Sequence, residues 1–324
     1  MKKTWLIIQR EYITRVRNRT FIISTFLTPL LFVGLISAVI FLNPKDEATK
    51  KSLKEATAVT DAIANNERSG IAYGVGYASS FLIYMSILIY GTMVMRGVSE
   101  EKNNRIAEII ISSVKPFQLM MGKIIGIGAV GLTQFVMWLV LVVVLLLVLF
   151  TVLPPEVLGE AGNQASQPEA SALQASLMSV NIPLVLFCFI FYFIFGYLFY
   201  ASLFAAVGSA LSEDSQDVQS LLLPVTMPII LAIAIMMQVI AHPTSSLATW
   251  STMVPFFSPV VMMARVPFGV PSTVPYWELG LSMLLLIGGF LFTTWLSAKI
   301  YRTGILLYGK KITWKEMWKW MVKS

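Results

Sequence analysis

The sequence has little of the chemistry that metal and redox sites need, with one cysteine and one histidine among its 324 residues. A single cysteine, Cys188, cannot form a disulfide within the chain. His242 has no second ligand at metal spacing, and it is interpreted as an interfacial side chain at the end of an apolar run. A histidine-based metal or acid–base site is therefore not expected.

Catalytic motifs are also missing from the sequence. It contains no G-x-x-x-x-G-K-[ST], so it does not bind ATP through a P-loop, and it contains neither G-x-S-x-G nor H-E-x-x-H. Glycines do recur at the starts of two apolar runs, but their small-xxx-small spacing is more typical of close helix packing than of phosphate loops. These glycines are Gly70, Gly74, Gly76, Gly122, Gly126, Gly128 and Gly131.

Charge is scarce, while apolar residues are abundant. Charged residues make up 13% of the chain and hydrophobic residues 56%, whereas soluble domains average about 25% charged residues. This composition predicts a membrane protein. The net charge of +7 does not indicate a nucleic-acid partner, because the basic residues lie at the ends of apolar runs, where they set topology.

Six apolar runs approach or exceed the roughly 20 residues that cross a bilayer as a helix. They cover residues 21–42, 72–95, 124–153, 182–211, 221–241 and 279–301. A cleaved signal peptide is the alternative for the first run, but that run is longer than a signal h-region and has no clear cleavage site. With the N-terminus inside, 18 of the 24 Lys and Arg residues lie on the inner side, which predicts that both termini are cytoplasmic.

The predicted fold is an all-α membrane protein, with a six-helix transmembrane domain over residues 21–302 and a short outer segment at 43–71. Residues 1–20 predict an amphipathic helix on the inner leaflet, with Trp5 and Tyr12 on its apolar face and Arg10 and Glu11 on its polar face. Residues 303–324 form a basic cytoplasmic tail. Five prolines in residues 251–276 preclude a lipid-exposed helix there and predict a re-entrant or interfacial hairpin on the outer side, between spans 5 and 6.

The stretch from Arg96 to Lys123 is a long charged run with helical character between two spans. Glu101 and Arg105 stand one turn apart as a potential ion pair, and Pro116 is predicted to end the helix. The pattern predicts a short amphipathic helix on the cytoplasmic side, exposed to a partner, and a solvated connector is the alternative. Its charged residues are Glu100, Glu101, Lys102, Arg105 and Glu108.

This stretch, which reads RGVSEEKNNRIAEIIISSVKPFQLMMGK, resembles the permease subunits of type-2 ATP-binding-cassette exporters, and most of all their sodium-extrusion subgroup. The lead-in WLIIQREYITRVR and the tail GILLYGKKITWKE resemble the ends of that subgroup. The likeness covers nearly the whole chain. Members of the subgroup commonly carry a large outer domain between the first two spans, for which residues 43–71 are too short.

The resemblance implies a non-catalytic permease subunit of a plasma-membrane exporter, with sodium as the suggested substrate. It implies a second permease copy, in a homo- or heterodimer, and separate P-loop ATPase subunits that bind ATP and Mg; this chain would hold no cofactor. The coupling helix near Ser99–Ser113 would contact the ATPase. The acidic turn at 212–220, with Glu213, Asp214 and Asp217, would be the second cytoplasmic contact.

Two other functions are weighed against the exporter. A membrane-embedded scaffold without transport of its own is the main alternative, and a polytopic membrane enzyme is disfavoured because no catalytic residues cluster. The acidic residues fall at span ends or in loops, so the spans show no obvious site for a coupling ion. The energy for transport is therefore expected to come from outside the chain.

Overall fold

The computed structural model describes residues 2–19, 21–23, 25–27, 30, 69–104, 114–152, 181–211 and 216–306, and every regular element in these ranges is helical. The all-α prediction is therefore confirmed for this part of the chain. The elements are α1 (Lys2–Val16), α2 (Ser69–Asn103), α3 (Pro116–Val152), α4 (Ile182–Ala210), α5 (Gln216–Ala241), α6 (Ser246–Met253), α7 (Ser258–Arg265), a 3-10 turn (Val266–Phe268) and α8 (Tyr276–Gly304).

Within the described ranges, five helices are long and apolar enough to cross a membrane, and each overlaps one of the predicted spans 2 to 6. The helical stretches that meet this requirement are Ala72–Asn103, Pro116–Leu141, Ile182–Ala210, Val218–Ala241 and Tyr276–Gly304. Of the predicted first span, 21–42, residues 24, 28, 29 and 31–42 lie outside the described residues. The count of six spans and the side on which the termini lie stay predictions.

The boundaries around the charged stretch differ from those predicted. Residues 99–103 are the last residues of α2 and not the start of a separate helix. Pro116 opens α3, whose apolar run was predicted to begin at residue 124. A proline suits the first position of a helix because its missing N–H would have no intrahelical partner there. Residues 105–113, the centre of the predicted coupling helix, lie outside the described part of the chain.

The chain divides into two compact units. One comprises Met1–Thr14, Val75–Gly131 and Ile182–Ser324, and it holds all the side-chain clusters discussed below. The other comprises Arg15–Gly74 and Leu132–Asn181. In the second unit, α3 exposes Val136, Leu139 and Val140, as expected of a helix that faces lipid.

Helix α4 is the packing centre of the first unit, with 16 of its 29 residues buried. It runs parallel to α8, because residues near its start contact the start of α8 and residues near its end contact the end of α8. Tyr192 donates a hydrogen bond to Ser282, and Gly304 lies against Ser209. Two parallel helices that pack together need an antiparallel element between them in the sequence. Helix α5 provides it, since its Val239 near the far end packs with Ala248 and Val261 of the two short helices.

The proline-rich segment forms a helical hairpin of α6 and α7, both of eight residues. The Tyr200 hydroxyl donates a 2.6 Å hydrogen bond to the Phe256 carbonyl, and Pro259 lies against Gly196. Gly196 and Tyr200 stand about 21 and 27 Å along α4 from Ile182, at 1.5 Å per residue. The hairpin therefore packs alongside α4, as a re-entrant segment would, and its depth in a membrane stays a prediction.

Gly208 provides a test of the close packing between α2 and α4. A Cβ at this position would lie 2.5 Å from the carbonyl oxygen of Met95 and 3.0 Å from its Cα, and backbone atoms cannot rotate away. We expect Gly208→Ala to lower the free energy of unfolding by about 1–3 kcal/mol, as overpacking does. A lower melting temperature of the purified protein in detergent would show it.

Gly280→Ala is the matched control, because nothing lies within 4 Å of a Cβ at that position in α8. Alanine is the better helix former by up to about 1 kcal/mol, so the control should melt at the same temperature or higher. Equal melting temperatures for both variants would contradict the close approach of α2 and α4.

Candidate functional site

Four charged side chains from three helices meet inside the first unit, and we call this cluster the ionic junction. It consists of Arg10 and Glu11 of α1, Glu101 of α2 and Lys123 of α3. The Lys123 ammonium lies 3.3 Å from Oε1 of Glu11 and 3.1 Å from Oε2 of Glu101. The Arg10 guanidinium lies 2.8 Å from Oε1 of Glu11 and also pairs with Glu101.

The junction is buried, except for part of Arg10. Lys123 is 1% exposed, and Glu11 and Glu101 are each 7% exposed. Lys123 also donates a 3.1 Å hydrogen bond to the carbonyl of Gly97. Because buried charges are costly unless they are paired, the two cations and two carboxylates stabilise one another only while all three helices stay together.

Arg10 remains a full charge in this setting. Its burial favours the neutral form, but hydrogen bonds to Glu11 and Glu101, and their negative charges, outweigh that effect and raise the pKa of Arg10 above its ordinary value. The four formal charges therefore cancel, and the junction offers no excess negative charge to an additional cation.

Two glycines of α3 explain why α1 docks here. A Cβ at Gly122 would lie 2.7 Å from Cγ2 of Ile7, and a Cβ at Gly126 would lie 2.7 Å from Cβ of Glu11. The small-xxx-small spacing thus marks close helix packing, as predicted, and it brings α1 near enough for Glu11 to reach Lys123.

The predicted place of Glu11 on the polar face of α1 is wrong for this reason, because Glu11 is buried. Trp5, predicted on the apolar face, is 64% exposed, as a side chain that faces a lipid leaflet would be, and the position of α1 on the inner leaflet stays a prediction. The amphipathic pattern of α1 carries no information about Gly122, Gly126 and Lys123, which lie on α3, far away in the sequence. The inward side of α1 is set by Ile7 and Glu11, which lie one turn apart.

Lys102 makes a separate link between α2 and α4. Its ammonium donates a 2.7 Å hydrogen bond to the carbonyl of Ser209, near the C-terminus of α4. Lysine at a helix C-terminus is favourable because the last carbonyls carry partial negative charge. Lys102 is 2% exposed, so its ammonium group faces other groups of this chain and not the surface.

A second buried ion pair, which we call the clasp, joins Arg265 at the end of α7 to Glu278 in the first turn of α8. Arg265 is 1% exposed and Glu278 is 2% exposed. The Arg265 guanidinium also donates to the carbonyl of Pro243 at 2.8 Å and to the hydroxyl of Thr252 at 3.0 Å. The clasp thus fixes the helical hairpin to the start of α8.

Most of the remaining predicted contact residues lie outside the described part of the chain. Glu100 is exposed and, with Asn103 and Leu211, lines an open groove beside α2. Arg105, Glu108, Glu213 and Asp214 lie outside the described residues; Asp217 is in α5, and its side chain is not described. Asn103 belongs to the predicted coupling segment, and Leu211 directly precedes the acidic turn. Both residues line the same groove, so the two predicted contact segments lie side by side there.

Sequence reasoning missed the partners that Glu101 and Arg265 have in the structure. Glu101 pairs with Arg10 and Lys123, and its predicted partner Arg105 lies outside the described residues. The clasp did carry a signal, since Arg265 and Glu278 are the only charged residues between positions 218 and 298. Two opposite charges alone in so apolar a stretch favour a buried pair.

The family of the chain follows from a sequence comparison. Residues 44–299 match the family described as ABC-2 family transporter protein. The chain belongs to this family. As an ABC-2 protein with five apolar helices among its described residues, it is a multi-pass membrane protein.

Two relatives are 30% identical to this ABC-2 protein over the regions that align with it. It is 30% identical over 268 residues to the uncharacterized protein YhaP of Bacillus subtilis, which covers 83% of this chain and 58% of that protein. It is 30% identical over 244 residues to the uncharacterized protein MJ1024 of Methanocaldococcus jannaschii, covering 75% and 53%. The chain thus spans little more than half the length of these relatives. No solved structure matches it.

Proposed function

We propose that this ABC-2 protein is the permease subunit of an ATP-driven exporter in the plasma membrane. ATP and Mg would be bound by separate P-loop ATPase subunits, and a second permease copy would complete the transporter. The observation that carries the proposal is the position of the ionic junction. Glu101 lies two residues before the end of α2, and Lys123 lies two turns into α3, so the junction ties together both ends of the charged stretch.

The junction gives a route by which a push on residues 105–113 reaches the membrane helices. A displacement of this segment moves the end of α2 against the start of α3, and Lys123 lies between the carboxylates of Glu11 and Glu101. The helices then repack together with α1. An ATPase drives such a change only if its ATP-bound state has higher affinity for one arrangement than for the other.

The burial of the predicted contact residues favours a division of their roles. Glu100 is exposed, whereas Glu101 and Lys102 are buried among this chain's own groups. We therefore assign the ATPase contact to Glu100, Arg105 and Glu108, together with the acidic turn, and we assign Glu101 and Lys102 to transmission within the permease. Sodium as the exported substrate rests on the resemblance to the sodium-extrusion subgroup.

Charge reversal at Arg105 tests the coupling contact. We expect Arg105→Glu to leave membrane insertion and yield unchanged but to lower ATP-driven transport at least tenfold, since reversing one charge at an interface costs several kcal/mol. The measurement is sodium efflux from vesicles that contain the permease and its co-purified ATPase. Arg302→Glu, an exposed charge at the end of α8, is the matched control.

Co-purification tests the proposed function itself. Mass spectrometry of the protein isolated in mild detergent should identify a P-loop ATPase whose turnover depends on this chain. A chain that is isolated alone, from cells in which candidate ATPases are detectable, would instead support the scaffold function. If the ATPase is present but sodium is not moved, the permease assignment stands and the substrate is another compound.

A further inference from the structure

An open groove beside the last turns of α2 combines unpaired charges with an apolar wall. It encloses about 340 Å³ between α2, the end of α4 and the start of α5, a volume at the lower end of ligand pockets. Its lining includes Thr92, Met95, Arg96, Glu100, Asn103 and Leu222. We call it the α2 groove.

The two charges in the α2 groove do not neutralise each other. Arg96 and Glu100 are both exposed, and among the described ion pairs neither side chain takes part. An arginine that precedes a glutamate by four residues is the less favourable orientation for a helical pair. Both groups are therefore available to a ligand that carries one negative and one positive charge.

The polarity of the α2 groove changes in order along the helix. The Thr92 hydroxyl donates a hydrogen bond to the carbonyl of Leu88, so Thr92 and Leu222 contribute mainly apolar surface to the lining. At 1.5 Å per residue, Arg96 lies about 6 Å from Thr92 along the axis of α2, in the direction of its C-terminus. Glu100 lies about 6 Å beyond Arg96, and Asn103 lies about 4 Å beyond Glu100. The groove thus runs from apolar through cationic to anionic and amide-bearing over about 16 Å.

That order matches a phospholipid whose headgroup ends in a primary ammonium. Its acyl chains lie deepest, its phosphate comes next, and its ammonium lies two carbons beyond the phosphate. A groove of about 16 Å is also longer than the headgroup region, which accounts for about 5–8 Å on each side of a bilayer. A phospholipid fills both ends of such a groove, with its acyl chains at the apolar end and its headgroup at the charged end.

We propose that, in the permease free of its ATPase, the α2 groove binds an ethanolamine phospholipid, with Arg96 holding the phosphate and Glu100 and Asn103 accepting the ammonium hydrogens. Arginine suits phosphate because its planar guanidinium donates two parallel hydrogen bonds. A carboxylate accepts hydrogen bonds from a primary ammonium, but a choline headgroup has no N–H to donate. The site therefore discriminates between two lipids of equal net charge.

Native mass spectrometry of the permease purified without its ATPase tests this site. The protein is exchanged into mixed vesicles of phosphatidylethanolamine, phosphatidylcholine and phosphatidylglycerol in equal amounts, and the retained lipids are counted after detergent washing. We expect phosphatidylethanolamine to be retained about tenfold over the other two lipids, the effect of hydrogen bonds to a charged group.

Two variants separate the roles of the charged residues. Arg96→Gln should abolish retention of all three lipids, whereas Glu100→Gln should keep phospholipid binding but lose the preference for ethanolamine over choline. Arg302→Gln, an exposed basic residue at another helix end, should retain lipid like the natural protein. Preserved ethanolamine preference in Glu100→Gln, or equal losses in Arg96→Gln and Arg302→Gln, would overturn the proposal.

Discussion

Replacement of Glu278 with leucine is expected to remove most of the folded protein, because Arg265 would keep its charge in a site that is 1% exposed. Breaking a buried ion pair by removing one partner costs about 3–5 kcal/mol. That is a large part of the about 5–15 kcal/mol that stabilises a typical folded protein. The yield of monodisperse protein and its melting temperature in detergent measure the loss.

The double variant Arg265→Met with Glu278→Leu shows whether the loss comes from the unpaired charge. Replacing both members of a buried pair by apolar residues of similar volume is often neutral or stabilising, so the double variant should recover much of the melting temperature. Thr252 and Ser282 would keep their own bonds, since each hydroxyl can donate to a backbone carbonyl. If the double variant is no more stable than Glu278→Leu, shape and not charge holds the hairpin.

Replacement of Lys123 with methionine is expected to release α1 from the other helices and to uncouple ATP hydrolysis from transport. Glu11 and Glu101 would then face each other with Arg10 as their remaining cation. Two buried carboxylates with one partner leave an excess charge, which costs about 3–5 kcal/mol and favours separation of α1 from α3. Faster hydrogen exchange in residues 2–16 reports this separation.

A compensating change makes the prediction specific to charge. Lys123→Met combined with Glu11→Gln leaves Arg10 and Glu101 as one neutral pair, so α1 protection and coupled transport should recover in part. Glu100→Gln, one residue from Glu101 but exposed, is the control and should leave exchange in α1 unchanged. Unchanged exchange in Lys123→Met would mean that packing at Gly122 and Gly126 holds α1 without the junction.

The helices could be predicted from the sequence because their signals are local. A run of about 20 apolar residues is sufficient for a span, and five prolines within 26 residues exclude one at 251–276. The helix ends were harder to predict. Charged residues after Met95 suggested that the span stops there, yet α2 continues to Asn103, because Glu101 and Lys102 find partners on other helices.

The junction could not be predicted, because its pairs are distant in the sequence. Glu11 and Lys123 are separated by 112 positions, and neither residue differs in its local pattern from an ordinary interfacial charge. The glycines of α3 indicated a close neighbour, but not which helix it was. Only the packing of α1 into that groove identifies the pair.

The same separation sets an order for assembly during synthesis. Arg265 and Glu278 are 13 positions apart, so the clasp can close almost as soon as its second residue leaves the ribosome. Helix α1 is made before α3 and must wait for Lys123, which at about 5–20 residues per second is a delay of about 6–22 s. Until then Glu11 can pair with its neighbour Arg10 but not with Lys123, so α1 reaches its final place only after the start of α3 has been made.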